Sequence, residues 1–197
     1  TPTMDAPPNI EVCNGEEVLI DFTTENTGGV TTYEWSIING PEIGLPDSTT
    51  DITDSDSDIT FTASNPDPDP RVVIVSVTPI FTNNGVECTT SPAETVTITV
   101  NPEPQIDDFT ETICEGDTFA SILPENDTNG VVPSGTIYTW VIADESSDLI
   151  IGGSASTTAS ATIPGSELTL VNDTTSPQDL IYTVTPNTEE GCEGEPF

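Results

Sequence analysis

The chain has 197 residues, of which 35 are Asp or Glu and one, Arg71, is basic, so its formal net charge is −34 at pH 7. A field of this sign repels nucleic acid phosphates and anionic membrane surfaces, so neither is expected as a partner. No apolar run approaches the roughly 18 residues that a membrane-spanning helix needs, so we expect no membrane insertion.

Residues 1–8 are interpreted as a linker or the end of a preceding repeat, and a first unit is predicted over residues 9–101. Alternating apolar residues predict strands within it. The predicted strands are Val18–Thr23, Thr32–Ile38, Ile59–Thr62, Val72–Ile80 and Thr95–Val100. Clusters of Gly, Pro, Asn and Asp separate them, as at Asn83-Asn84-Gly85. No sustained helical period is present, so the pattern predicts an all-β sandwich.

A proline-rich linker over 102–105 leads to a second unit over 106–197, and four landmarks recur in the same order in both units. In the first unit they are Cys13-Asn14-Gly15-Glu16, Tyr33-Glu34-Trp35, Val77-Thr78-Pro79 and Gly85-Val86-Glu87-Cys88. In the second they are Cys114-Glu115-Gly116-Asp117, Tyr138-Thr139-Trp140, Val184-Thr185-Pro186 and Gly191-Cys192. The sequence therefore predicts two tandem immunoglobulin-like β-sandwich domains. The second has no counterpart of Thr95–Val100, so we expect it to lack its last strand.

Each unit holds two cysteines, and their paired placement favours the disulfides Cys13–Cys88 and Cys114–Cys192. Each bridge would stabilise its unit by about 4 kcal/mol, because it lowers the conformational entropy of the unfolded chain. A zinc site would need cysteines or histidines at short spacing, and a nucleophilic cysteine would need a nearby base. The sequence has neither feature. Disulfides also favour an extracellular location.

Two aromatic pairs, Tyr33 with Trp35 and Tyr138 with Trp140, each lie on one face of a predicted strand. Such aromatics can form a platform for sugars or fill the core of a sandwich. Their recurrence at the same place in both units favours the core.

Two groups of carboxylates are candidate metal ligands: Asp54, Asp56 and Asp58 in one run, and Glu103, Asp107 and Asp108 beside the linker. Calcium takes six to eight oxygen ligands, so it is the ion to consider. The first run lacks the Gly and Glu that an EF-hand loop needs, since Ile59 and Asn65 stand at those positions. A solvated acidic surface is the favoured interpretation, and no cofactor is required.

The combination of Cys-x-Gly, Tyr-x-Trp, Val-Thr-Pro and the second cysteine resembles the PKD-like repeats of giant surface adhesins in Bacteroidota. The resemblance is closest to mobile adhesins of the SprB type, which take part in gliding motility. It covers nearly the whole chain. It implies export by the type IX secretion pathway, display at the cell surface and a role in an extended adhesive filament.

Three classes of function remain to be weighed. The favoured one is a non-catalytic structural repeat of a secreted cell-surface adhesin, with neighbouring repeats of the same chain and surface glycans as partners. The alternative is a carbohydrate-binding or spacer module of a secreted polysaccharide-degrading enzyme. An enzyme is disfavoured because the sequence has no His, no Lys, no nucleophile motif and no phosphate-binding glycine loop.

Overall fold

The computed structural model describes residues 2–5, 7–46, 52–53, 58–89, 93–144, 146–163, 165, 168–170 and 175–197. The chain forms two compact units, Thr1–Pro102 and Glu103–Phe197. No helix occurs in these described ranges, and all regular elements are strands. The fold is thus all-β, as the alternating sequence pattern predicts.

Unit 1 contains eight strands in the described ranges. They are β1 (Ile10–Cys13), β2 (Glu17–Asp21), β3 (Val30–Asn39), β4 (Ile52–Thr53), β5 (Asp58–Thr62), β6 (Arg71–Asn83), β7 (Val86–Cys88) and β8 (Glu94–Asn101). The main sheet has the order β1-β8-β6-β3-β4, with β7 also paired to β6, and β2 pairs with β5 in a second sheet. The five strands predicted in this unit are confirmed, with ends that differ by at most three residues.

The core of unit 1 lies between these two sheets. Alternate residues of each strand point inward, because successive side chains in a strand face opposite sides. β6 contributes Val73, Val75 and Val77, and β8 contributes Val96, Ile98 and Val100. The second sheet supplies Val18, Ile20, Ile59 and Phe61 to the same cluster.

Three strands of unit 1 were not predicted. β4 and β7 have two and three residues, too few to establish a period. β1 has four residues and pairs in parallel with β8, with Ile10 opposite Ile98 and Cys13 opposite Asn101. The residues that make β1 a strand are thus almost ninety positions away in the sequence, so no local pattern reveals the pairing.

Unit 2 has shorter strands and a smaller core. Its strands are β9 (Gln105–Ile106), β10 (Gly130–Val131), β11 (Ile137–Ile142), β12 (Ile150–Ile151), β13 (Ser156–Ser160), β14 (Thr169–Leu170) and β15 (Tyr182–Asn187). The largest sheet has the order β13-β11-β15. Its core is built on Tyr138, Trp140, Ile163 and Val184.

The two units share the same cross-strand register at the repeated landmarks. In unit 1, Tyr33 lies opposite Pro79 and Trp35 lies opposite Val77. In unit 2, Tyr138 lies opposite Pro186 and Trp140 lies opposite Val184. The β3–β6 pair and the β11–β15 pair are therefore equivalent, and the sequence repeat is also a structural repeat.

The position of β8 has no equivalent strand in the described part of unit 2. Val184 and Phe197 exchange two backbone hydrogen bonds, at 2.9 and 3.0 Å. Val77, the equivalent of Val184, lies opposite Glu94, the first residue of β8. Phe197 thus takes the place of Glu94.

Candidate functional site

The repeated aromatic residues lie inside the two units. Tyr33 and Tyr138 are buried, and the indoles of Trp35 and Trp140 are only 5% and 6% exposed. A sugar-binding platform needs an open aromatic face, which these side chains do not offer. The arrangement therefore speaks against glycan binding at either tryptophan.

The two tryptophans differ in one polar contact. The Nε1–H of Trp140 donates to the carbonyl oxygen of Ser154 at 2.7 Å. The equivalent Nε1–H of Trp35 is buried and has no hydrogen-bond partner among the described residues. Trp140 thus also fixes the chain at Ser154, whereas Trp35 contributes by packing.

A second structural centre, which the sequence analysis did not identify, is Asn65. Its side chain is 2% exposed, and its Nδ2 donates to the carbonyl oxygens of Asp69 at 2.9 Å and Val100 at 2.8 Å. Its Oδ1 accepts from the N–H of Asp67 at 3.0 Å, which closes an Asx turn. Asn65 therefore joins the loop before β6 to the end of β8.

The carboxylate of Asp67 belongs to the same loop and pairs with the single basic residue of the chain. Arg71 Nη2 lies 2.7 Å from Asp67 Oδ2, and Arg71 Nη1 donates to the carbonyl oxygen of Glu42 at 2.6 Å. The ion pair is partly solvated, so its contribution to stability is about 1 kcal/mol or less. Its role is to hold the loop against the first residue of β6.

The cysteine pairing differs from the prediction. Cys88 and Cys114 are free, so the bridges Cys13–Cys88 and Cys114–Cys192 are not formed. Cys13 and Cys192 are each in the disulfide-bonded form. The sequence shows that each unit has two cysteines at equivalent positions, but it does not show which sulfur atoms lie close together in the fold.

The physical reason in unit 1 is distance along the sheet. Cys13 lies opposite Asn101, at the end of β8 where Val100 pairs with Arg71. Cys88 lies opposite Phe81, ten residues farther along β6. At about 3.3 Å per residue, the two cysteines are roughly 33 Å apart. A disulfide needs Cα atoms within about 7 Å, so this pair cannot be joined.

The same geometry explains unit 2. Gly116 N–H donates to the carbonyl oxygen of Leu168 at 3.0 Å, as Gly15 N–H donates to that of Ala63 at 2.8 Å. Cys114 therefore lies in the turn equivalent to that of Cys13. Cys192 follows β15, as Cys88 follows β6, so Cys114 and Cys192 belong to opposite ends of their unit.

The predicted metal ligands fall only partly within the described residues. Asp54 and Asp56 lie outside the described residues, as does the side chain of Asp58 in β5. Asp107 and Asp108 are exposed beside an open cleft that Glu195 also lines. No three His, Cys, Asp or Glu side chains converge on a metal-sized site within the described ranges, and Glu103 joins no such group.

Two tyrosines of unit 2 have altered acidity. Burial raises the pKa of the Tyr138 hydroxyl to about 12, because the phenolate would lose its hydration. Burial also raises the pKa of Tyr182, partly offset by the hydrogen bond that its oxygen accepts from Ser154 N–H. These shifts bear on how the stability of unit 2 depends on pH.

The parallel pair β1–β8 forms the first and last strands of unit 1. Asn14 N–H donates to the carbonyl oxygen of Asn101 at 2.9 Å, whereas Cys13 N–H turns away and donates to Glu16 Oε2 at 2.9 Å. Since alternate residues face the same edge, Ile10 and Val12 also direct their N–H groups at β8. A force that pulls the two ends of this unit apart acts along these two parallel strands in opposite directions. It therefore strains all the hydrogen bonds of the pair at the same time, in shear.

No helix in the described part of the chain is long and apolar enough to cross a membrane.

Comparisons with known proteins give one family match. No curated protein matches the chain significantly. Residues 111–197 match the sequence model of the PKD-like domain family. PKD-like domains are as a rule non-catalytic modules and are common in extracellular proteins, and unit 1 repeats the landmarks and register of the matched unit.

Proposed function

We propose that this chain is a non-catalytic, load-bearing spacer segment of a secreted cell-surface adhesin filament that takes part in adhesion and gliding motility. The observation that carries the proposal is the parallel pairing of β1 with β8, which joins the first and last strands of a repeated unit. In this geometry the hydrogen bonds of the pair resist a stretching force simultaneously. A spacer under tension needs this property, whereas a catalytic or glycan-binding module does not.

Other features support the same role. The aromatic landmarks are buried in both units, so they maintain the fold and do not themselves form an aromatic platform at the surface. The acidic surface keeps neighbouring filaments apart and soluble. The family match to a PKD-like domain agrees with a repeat module. The proposed cellular setting rests on the resemblance of the sequence motifs to those of gliding adhesins.

The proposal is tested by stretching the whole chain from its two ends and recording the unfolding force of unit 1. Val12→Pro removes an N–H that faces β8, whereas Glu11→Pro changes the next residue of the same strand, whose N–H faces away. We expect Val12→Pro to lower the unfolding force much more than Glu11→Pro. The two variants need comparable thermal midpoints, so that a difference in unfolding force reflects the lost β1–β8 hydrogen bond and not a difference in overall stability.

An equal effect of the two proline variants would contradict a load-bearing role. Binding of soluble polysaccharide that is lost on changing a surface residue would favour the alternative, a carbohydrate-binding module.

A further inference from the structure

The first cysteine of each unit lies at the end of the unit from which the chain leaves. In unit 1, Cys13 is opposite Asn101, the last residue of β8, and the unit extends only to Pro102. Cys114 lies in the equivalent turn of unit 2, which the same backbone hydrogen bond closes. We call this end of a unit its exit pole.

The second cysteine of unit 1 lies at the opposite end, where the chain enters the unit. There Thr3 N–H donates to Asn26 Oδ1 at 2.6 Å. The loop after Asn26 leads to Val30, which lies opposite Thr82. Cys88 is opposite the residue before Thr82, so it belongs to the same end. We call this end the entry pole.

The second cysteine of unit 2 also lies at the entry pole. Two residues after Cys192, Gly194 packs so closely against the carbonyl oxygen of Pro104 that a Cβ atom at Gly194 would overlap it. Pro104 is the second residue of this unit. Each unit therefore has one cysteine at each pole. The two poles of unit 1 are separated by roughly 33 Å at these cysteines, too far for a disulfide.

The oxidation state of the cysteines does not depend on which pole they occupy. Cys13 at an exit pole and Cys192 at an entry pole are in the disulfide-bonded form, whereas Cys88 and Cys114 are free thiols. Both pole positions are thus able to form a disulfide. Since a bond within one unit is excluded by distance, the partner of a bonded cysteine lies outside its own unit.

We propose that Cys88 and Cys114 are disulfide-forming sites for further PKD-like units. Cys114 is equivalent to the bonded Cys13, and Cys88 is equivalent to the bonded Cys192. The bonded cysteines are one of each pole type, so the rule is that an exit-pole cysteine bonds an entry-pole cysteine of a different unit. The ligand of each site is a PKD-like unit with a cysteine at the complementary pole. The proposal does not depend on the load-bearing role of the β1–β8 pair.

The chemistry is thiol–disulfide exchange with a small-molecule disulfide, such as glutathione disulfide, as the oxidant. The thiolate of one cysteine attacks glutathione disulfide, forms a mixed disulfide and releases one glutathione. The thiolate of the complementary cysteine then attacks the protein sulfur atom of the mixed disulfide and releases the second glutathione. The two protons lost by the cysteines are carried by the two glutathione thiols. Cys114 is exposed and Cys88 is partly exposed, so the reagent has access to both.

The experiment uses a second copy of the whole chain as the partner unit. The Cys88→Ser variant keeps the exit-pole thiol, and the Cys114→Ser variant keeps the entry-pole thiol. Each is incubated alone and in an equimolar mixture in glutathione redox buffer, at high ionic strength to screen the repulsion between two acidic chains. We expect the mixture to give at least tenfold more covalent dimer than either variant alone, because one variant offers only like poles. Peptide mapping should recover a Cys88–Cys114 linkage.

A third variant measures linkage by random collision. Ser36 is exposed in the middle of β3, away from both poles. Ser36→Cys, combined with Cys88→Ser and Cys114→Ser, therefore supplies an accessible thiol at a position without the proposed role. Mixed with the Cys114→Ser variant, it should give at least tenfold less dimer than the complementary pair. Equal thermal midpoints of all variants show that the fold is retained.

Equal dimer yields from like and complementary poles would overturn the proposal. So would a yield from the complementary pair no higher than that with Ser36→Cys, or the formation of glutathione-capped monomers alone. The stretching experiment on unit 1 is independent of these thiols, so a failure here and a failure of the load-bearing role are distinguishable.

Discussion

Asn65 Nδ2 donates to the carbonyl oxygen of Val100 across 2.8 Å, and this contact joins residues that are 35 positions apart in the chain. The donor is buried where the loop before β6 meets the C-terminal end of the β1–β8 pair. Asn65 N–H also donates to Asn14 Oδ1 at 2.7 Å. One residue thus connects three segments at one end of unit 1.

Asn65→Ala should destabilise unit 1 by about 1–3 kcal/mol, because it leaves the buried carbonyl oxygen of Val100 without its donor. Thermal and urea unfolding would measure the effect. Asn39→Ala is the matched control, since Asn39 is exposed in the same unit, and its effect should stay within about 0.5 kcal/mol. Equal effects of the two variants would contradict a role for Asn65 in holding the loop.

The tryptophans should respond unequally to replacement by Phe. Trp140→Phe removes the hydrogen bond to Ser154 as well as packing, whereas Trp35→Phe removes a buried donor that has no described partner. We expect Trp140→Phe to cost about 1–2 kcal/mol more than Trp35→Phe when each unit is followed separately in urea. A larger cost for Trp35→Phe would indicate that its Nε1–H has a partner.

The state of the four cysteines can be read by alkylation and peptide mapping. Under native, non-reducing conditions we expect Cys114 to react first because it is exposed, and Cys88 more slowly because it is partly buried. Cys13 and Cys192 should react only after reduction. Recovery of a Cys13–Cys88 or Cys114–Cys192 peptide would contradict the structure and restore the pairing expected from the sequence.

In unit 1 the sequence predicted the strands that have five or more residues, as in Arg71–Asn83 and Glu94–Asn101. It also predicted the repeat, because each landmark is made of residues adjacent in the chain. β1 was missed because parallel pairing with β8 depends on residues far away in the sequence. Local patterns establish which residues face inward, but they do not establish which distant strands become neighbours.

The same limit applies to the site. A cysteine pair, an acidic cluster and a buried asparagine all act through distances that the fold sets. Asn65 begins an Asn-Pro-Asp-Pro-Asp-Pro run that also contains two carboxylates. The side chain that matters there is the amide, because it is the one that the fold buries.

Alkaline pH should destabilise unit 2 through Tyr138. Its pKa is raised by burial to about 12, whereas an unfolded tyrosine ionises near pH 10. The unfolded state therefore releases the proton first, so the stability present below about pH 10 falls as the pH rises to about 12. Tyr138→Phe keeps the ring and should reduce this fall, as measured by urea unfolding at each pH. An unchanged pH profile in that variant would assign the fall to other groups.

Divalent cations should stabilise the chain by screening its negative charge, with little difference between calcium and magnesium. Within the described ranges no three acidic side chains converge, and Asp107 and Asp108 remain exposed. Screening depends on ionic strength and valence, so the two ions should raise the thermal midpoint equally at matched concentration. A specific site would instead favour calcium, which takes six to eight oxygen ligands in a flexible geometry, whereas magnesium requires a near-ideal octahedron and retains several waters.

Thermal unfolding in EDTA, in calcium and in magnesium distinguishes the two outcomes. A rise that is specific to calcium would contradict the screening explanation and point to the run that contains Asp54 and Asp56, which lies outside the described residues. Asp54→Asn combined with Asp56→Asn should then abolish the calcium-specific part, whereas Asp107→Asn combined with Asp108→Asn should leave it intact. If screening alone acts, both double variants lose charge equally and should raise the midpoint in EDTA by similar amounts.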